Sequence, residues 1–149
     1  MIKNIQDPYY LSRQECEPVK ETQVQGLVPY IKAMVSECLR TGAYSMSAPQ
    51  AGLNLDFFIA RNLDPKVLDF DVVFSPSFEP LQDAKLVKVD EVGPDKVPYQ
   101  AQRWSKIRME WLYHNGQGYE TRSGEFEGDV AYIAQMEIDH LNGTWYLGQ

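Results

Sequence analysis

The residues with the clearest chemical potential lie near the carboxyl end of the chain. Glu137 and His140 are three positions apart, within a run that begins at Asp129 and reads D-V-A-Y-I-A-Q-M-E-I-D-H-L-N-G. Residues three apart share one side of an α-helix, so a carboxylate and an imidazole would face each other there. Met136 lies one turn before His140. A histidine in its place would complete H-E-x-x-H, in which two imidazoles hold a metal and the glutamate acts as general base.

Two interpretations of this stretch are open. It is either a metallohydrolase helix that has lost one ligand, or a buried structural helix in which Glu137 and His140 simply pair. Both require a helix with one inward stripe, and the three- and four-residue steps predict one over Val130, Ile133, Ala134, Glu137 and Leu141. Asp129 can cap its start and Gly143 can end it. A carboxylate on that stripe is costly unless it is paired or functional.

The composition restricts the classes of function. A chain of 149 residues can form one domain with a proper core. Its formal net charge of −7 argues against a nucleic-acid partner, because nucleic-acid binders usually show a basic face. It contains no run of 18 apolar residues and no signal-peptide core, so we expect no membrane partner and a cytoplasmic location, in a host cytoplasm if the source is viral. Cys16 and Cys38 are expected to be reduced structural thiols.

The pattern of apolar residues predicts a single α+β domain over residues 1–149. An extended arm, residues 1–21, precedes an amphipathic helix that starts near Leu27, because Pro29 must lie in its first turn. Small uncharged residues predict a loop over 43–52. We predict strands over residues 53–63, 67–74, 81–89, 104–113 and 119–126, with a turn over residues 90–98 and a hairpin turn over residues 114–116.

Three loci then fall into the order of a known family. The loop A-Y-S-M-S-A-P-Q occupies residues 43–50, a turn ending in Val-Pro precedes the hairpin, and residues 135–143 read Q-M-E-I-D-H-L-N-G. The chain resembles the peptide deformylases, whose motifs are G-x-G-L-A-A-P-Q, E-G-C-L-S-x-P and Q-H-E-x-D-H-L-x-G. The resemblance runs from about Val24 onward and is closest in the last motif, where Met136 is the one departure.

The resemblance implies a fold and a reaction. The fold would be α+β, with mixed and antiparallel strands packed around the motif helix and one long N-terminal helix. The family removes the formyl group from N-terminal formylmethionine of nascent chains. It uses a divalent metal, such as iron, zinc or nickel, held by the middle-motif cysteine and both helix histidines.

Only matching positions can take family roles. The resemblance makes His140 a metal ligand and Glu137 the residue that acts on metal-bound water. Gln50 and the backbone N–H of Met46 would hold the formyl oxygen. Substrate contacts would come from Tyr44, Ser45 and Arg103.

The departures from the family motifs remove metal ligands. Pro94 stands at the cysteine position and Met136 at the first histidine position, if residues 92–98 align with the middle motif. Proline has no ligand atom and a thioether suits copper(I), whereas a catalytic site needs about three protein ligands. Asp95 could supply an oxygen, although the resulting site would consume the helix glutamate. An alignment one residue earlier, with Glu91 at the family's glutamate, supplies no cysteine either.

These departures favour a deformylase-like protein that is catalytically inactive, needs no cofactor, and retains a peptide-binding or structural role. Its partners would be N-terminal peptides of nascent or mature proteins. One alternative is an active deformylase with an altered zinc, iron or nickel site. Another is a purely architectural component of a larger assembly. The short carboxyl terminus resembles the truncated deformylases of phage type, and Ala43 and Ser45 add bulk where a substrate backbone would pass.

Overall fold

The computed structural model describes residues 15–61, 63, 69–92 and 96–144. Within these residues the chain is α+β, as the sequence predicts. The elements are α1 Glu21–Thr41, β1 Ser45–Ser47, a 3-10 turn Ala48–Ala51, β2 Phe57–Arg61, β3 Phe70–Pro80, β4 Leu86–Val92, β5 Pro98–Trp104, β6 Lys106–His114, β7 Tyr119–Glu127 and α2 Asp129–Leu141. Neither of these helices combines the length and apolar character that crossing a lipid bilayer requires.

An antiparallel sheet separates the two helices. Its strand order is β1-β2-β3-β6-β7, and β4 pairs with β5 in a separate ribbon. Alternate residues of a strand point to opposite faces. On β2, Phe57 and Ile59 join the core under α1, whereas Phe58 and Ala60 join the core under α2. The sheet therefore carries one apolar layer on each side, which explains why β2 reads as a continuous apolar run.

Helix α1 starts earlier than the sequence predicts. It begins at Glu21 rather than near Leu27, and Pro29 lies inside it. Pro29 cannot donate to the carbonyl of Gln25, but both residues are exposed, so water can satisfy that carbonyl. The buried face carries Val24, Leu27, Met34 and Cys38. The free energy gained by burying this face outweighs the free energy lost at the proline.

Two strand predictions were also wrong. The strand predicted over residues 67–74 continues past Ser75-Pro76 to Pro80. A register shift between Phe74 and Ser77 accommodates the proline, and Ser75 takes a positive φ of 48°. Strand β5 was not predicted at all. The hairpin of β6 and β7 was predicted correctly, and β6 begins at Lys106 rather than at residue 104.

Residues 15–19 form a strap that ties α2 to the start of β2. The Cys16 N–H donates to the Leu141 carbonyl at 2.9 Å, and the Asp56 N–H donates to the Glu17 carbonyl at 2.8 Å. Cys16 is buried and free, as is Cys38, which confirms the prediction of unpaired thiols. Burial raises the pKa of Cys16 to about 12, and the carboxylates of Asp56 and Glu15 add to the effect. The first fourteen residues of the predicted arm lie outside the described residues.

Asp56 should make stability depend on pH. Burial, and then the nearby Glu15 carboxylate, raise its pKa from 3.8 to about 6. The folded state holds the Asp56 proton more tightly than the unfolded state does. The stability that this proton contributes to the fold is fully present below pH 3.8 and is lost as the pH rises through about 6. Asp56→Asn should therefore stabilise the protein, and the gain should grow by ~1 kcal/mol between pH 5 and pH 8. Urea unfolding at both pH values measures this.

Two variants test the cause. Glu15→Gln should reproduce part of the gain, since Glu15 is the second cause of the shift. Asp83 is an exposed carboxylate whose pKa its hydrogen bond with Lys106 lowers, so Asp83→Asn should show no gain that grows with pH. An equal effect of Asp56→Asn at both pH values would contradict the assignment.

Candidate active site

Helix α2 brings Glu137 and His140 into direct contact. The distance from His140 Nδ1 to Glu137 Oε1 is 2.8 Å. Both side chains are buried, with exposed fractions of 1% and 2%. The contact satisfies a carboxylate that would otherwise be costly to bury. The predicted inward position of Glu137 and its pairing with His140 are therefore confirmed. Gly128 rather than Asp129 is the N-cap of the helix.

Gln135 fastens α2 to the end of β5. Its Oε1 accepts from the Trp104 N–H at 2.8 Å, and its Nε2 donates to the Trp104 carbonyl at 2.9 Å. The side-chain amide thus makes the two backbone hydrogen bonds to Trp104 that a neighbouring strand would otherwise make. Because Gln135 lies two residues before Glu137, this attachment fixes the position of the helix turn that carries Glu137.

Arg103 links β5, β4 and α2 through two carboxylates. Its Nε and Nη2 donate to Glu91 at 3.0 and 2.8 Å, and its Nη1 donates to Asp139 at 2.5 Å. The hydroxyl of Tyr99 also donates to Glu91, at 2.6 Å. The fork of Arg103 and the carboxylate of Glu91 match in the bidentate geometry typical of strong ion pairs. The three elements around the site are therefore held by one buried ionic cluster.

The Arg103 side chain is only 3% exposed. Burial alone would lower its pKa, but the hydrogen bonds to Glu91 and Asp139 outweigh burial and raise the pKa above its usual value. Burial, and then the bond to Glu91, also raise the pKa of Tyr99. The guanidinium is thus occupied by the protein's own carboxylates. A substrate contact by Arg103 stays a prediction.

Strand β1 is an edge of the sheet. The Arg61 N–H donates to the Tyr44 carbonyl at 3.0 Å, and Met46 lies opposite Ile59. Bonded pairs alternate along antiparallel strands, so the N–H of Met46 faces β2 and that of Ser45 faces away from it. The predicted use of the Met46 N–H on a formyl oxygen is therefore not supported, because the register turns that group into the sheet.

The side chains of β1 divide between the two faces. Tyr44 stacks against Arg61 on the α1 side, with the guanidinium carbon 5.2 Å from the ring centroid. Ser45 and Ser47 point to the other face, where β1 contacts α2. Of the predicted substrate contacts on this strand, Ser45 therefore lies on the face of α2 and Tyr44 does not. The segment predicted as a loop is a strand followed by a 3-10 turn.

Gln50 lies in the 3-10 turn that follows β1, with its side-chain oxygen fixed. Gln50 Oε1 accepts from the Ser47 N–H at 2.8 Å and from the Ser47 hydroxyl at 3.0 Å. A backbone N–H can only donate, so the atom that faces it must be the amide oxygen. The Gln50 Nε2, a donor of two hydrogens, therefore points away from Ser47.

The histidines, cysteines and carboxylates of the described residues do not fit a hydrolytic metal. The chain has two histidines and two cysteines, all within the described residues. His114 lies in the β6–β7 hairpin, where its Nδ1 accepts from Gly116 at 3.2 Å, and Cys16 lies in the strap. Cys38 has a pKa raised to about 11 by burial and then by the Glu137 carboxylate. No group of three histidine, cysteine or carboxylate side chains able to hold a metal occurs in the described part of the chain.

The middle motif is only partly described. Pro94 and Asp95 lie outside the described residues, so their predicted places at the site stay predictions. The last two residues of β4 help to choose between the two alignments of the middle motif. Glu91 is buried against Arg103, whereas Val92 is 58% exposed. A buried, paired glutamate at residue 91 favours the alignment that places Glu91 at the family's glutamate, which moves the lost cysteine position from Pro94 to Gly93.

Sequence reasoning missed three residues that organise the site. Glu91 and Asp139 hold Arg103, and Ser47 holds Gln50. The motif E-I-D-H contained a signal for Asp139, since a second carboxylate beside a buried helix stripe needs a partner. The spacing S-x-x-Q is a capping-box pattern and could have indicated the contact between Ser47 and Gln50.

The chain is similar to known peptide deformylases in sequence and in fold. The peptide deformylase of Chlorobium phaeobacteroides is 27% identical in an alignment 144 positions long that covers 91% of this chain and 72% of the relative. The crystal structure of peptide deformylase from Thermus thermophilus matches with a TM-score of 0.74 and 28% identity, covering 95% of this chain and 80% of that one. For the Thermotoga maritima structure the TM-score is 0.76 at 24% identity, with 97% and 92% covered. A sequence model described as polypeptide deformylase matches residues 1–149, and the chain therefore belongs to the polypeptide deformylase family.

Proposed function

We propose that this chain is a catalytically inactive deformylase that binds the N-terminal segments of peptides. The observation that carries the proposal is the direct contact between Glu137 and His140 in a chain whose described residues supply no matching metal ligand besides His140. In the family reaction a metal lowers the pKa of water from about 15.7 towards 7. With one matching histidine and no matching cysteine, this site has too few donors to hold that metal.

The parts that would bind a peptide are retained. Among the described residues β1 is an edge strand, and an extended peptide can pair with such a strand through its main chain. Ser45 offers its N–H on that edge, and Gln50 offers an amide N–H₂ beside it. Both buried thiols are free, which suits a reducing compartment such as the cytoplasm.

Metal content and formate release test the loss of catalysis. The protein, purified without chelators and then incubated with zinc, nickel or iron(II), should hold far less than one metal per chain. It should also release no formate from formyl-Met-Ala-Ser above the background of protein-free buffer. Stoichiometric metal, with turnover that disappears in Glu137→Gln, would contradict the proposal. Metal that also requires Asp95 would establish the alternative of an active site with altered ligands.

A further inference from the structure

Ser47 departs from the family motif at a position that touches Gln50. The motif G-x-G-L-A-A-P-Q has alanine there, and this chain has serine at residue 47. The Ser47 side chain is fully buried and faces α2. Its hydroxyl donates to Gln50 Oε1 at 3.0 Å, beside the backbone N–H that donates to the same oxygen at 2.8 Å. An alanine could supply only the second of these bonds.

We propose that Ser47 is a positioning residue that fixes the amide of Gln50 with its nitrogen directed to the ligand. A flipped amide would place its N–H₂ against the Ser47 N–H, which can only donate, and it would also lose the bond that the hydroxyl now donates to Oε1. Gln50 therefore acts only as a donor toward the ligand. The ligand atom it takes is an acceptor oxygen, such as the carbonyl of an N-acyl group.

This fixed orientation matters more in a chain without metal. A metal would polarise and hold an acyl oxygen, and here hydrogen-bond donors must do so alone. The inference rests on the proposed function for its ligand. The orientation of Gln50 can nevertheless be tested without any ligand.

Binding of matched peptides tests the effect on specificity. The probes are formyl-Met-Ala-Ser and the same peptide with a free N-terminus, titrated calorimetrically into wild type and variants. Ser47→Ala should weaken binding of the formyl peptide about five-fold, the equivalent of one neutral hydrogen bond, and leave the free peptide unchanged. Gln50→Glu, which keeps the shape but loses the donors, should weaken the formyl peptide further. Ser123→Ala, which changes an exposed serine on β7, is the matched control and should change neither affinity.

A purely structural role for Ser47 predicts a different result. If Ser47 only caps the 3-10 turn, Ser47→Ala should lower both affinities by the same factor, and that outcome would overturn the inference. If wild type binds neither peptide, the proposed function fails, and NMR then decides the inference alone. The side-chain amide of Gln50 should show low mobility by ¹⁵N relaxation in wild type and higher mobility in Ser47→Ala; equal mobility would refute it.

A second measurement covers the case in which Ser47→Ala does not fold. The Ser47 N–H faces away from β2, and Gln50 Oε1 is its hydrogen-bond acceptor. In wild type its hydrogen exchange should be slow, and Gln50→Leu should accelerate it, whereas the Met46 N–H should be slow in both. Rapid exchange of the Ser47 N–H in wild type would contradict the fixed orientation.

Discussion

Arg103→Met should destabilise the protein by ~3–5 kcal/mol, because it leaves a buried carboxylate without its cation. Glu91, which is 8% exposed, would keep only the hydroxyl of Tyr99 among its described partners. Asp139 on α2 would lose the same cation. Methionine retains most of the apolar stem of the arginine, so the loss of stability measures the removal of the charge rather than a change in packing. Equilibrium unfolding in urea at neutral pH measures the change.

Two comparisons separate this explanation from a general effect of mutation. Arg40→Met removes the cation of an exposed pair with Glu37 on α1 and should change stability little. Arg103→Met combined with Glu91→Gln removes the stranded charge and should recover part of the loss. If Arg103→Met left stability intact and only weakened peptide binding, Arg103 would be the substrate contact that the resemblance implies and not the centre of a structural cluster.

The sequence predicted the elements whose periodicity is set by burial. The stripe of α2 led to Glu137, and the pairing with His140 followed from the cost of an isolated buried carboxylate. The β6–β7 hairpin alternates regularly and was found for the same reason. Family motifs then supplied the fold around these elements. All of this information is local, so it could be read without knowing which elements pack together.

The parts that were missed depend on contacts between distant segments. In β5 the inward positions are Tyr99, Ala101 and Arg103, and an inward arginine breaks the apolar alternation that predicts a strand. Its burial makes sense only once β4 supplies Glu91 and α2 supplies Asp139. The direction of the Met46 N–H could not be predicted for a similar reason, because register decides which backbone groups of β1 face β2. Neither the partners of Arg103 nor the register of β1 can be inferred from the local sequence.

Restoration of the metal ligands should produce the largest change in metal affinity, and it tests the alignment of the middle motif. The position of Glu91 favours a cysteine at residue 93, since the family motif places its cysteine two residues after its glutamate. Gly93→Cys/Met136→His should therefore complete a Cys-His-His set with His140. Zinc should then bind stoichiometrically at micromolar protein, equivalent to ~8 kcal/mol or more, and raise the melting temperature. Cobalt should give thiolate charge-transfer absorbance.

The competing alignment supplies the matched control. Pro94→Cys/Met136→His differs only in the position of the thiol and should bind no better than Met136→His alone, which offers two imidazoles. Tighter zinc binding by the Pro94 variant would favour the alignment that places the lost cysteine at Pro94. The burial of Glu91 would then be unrelated to its place in the middle motif. If both double variants fold and neither exceeds Met136→His, residues 92–98 do not correspond to the middle motif. Activity need not return with the metal, because Ala43 and Ser45 stand where the family has glycine and Gln50 remains held by Ser47.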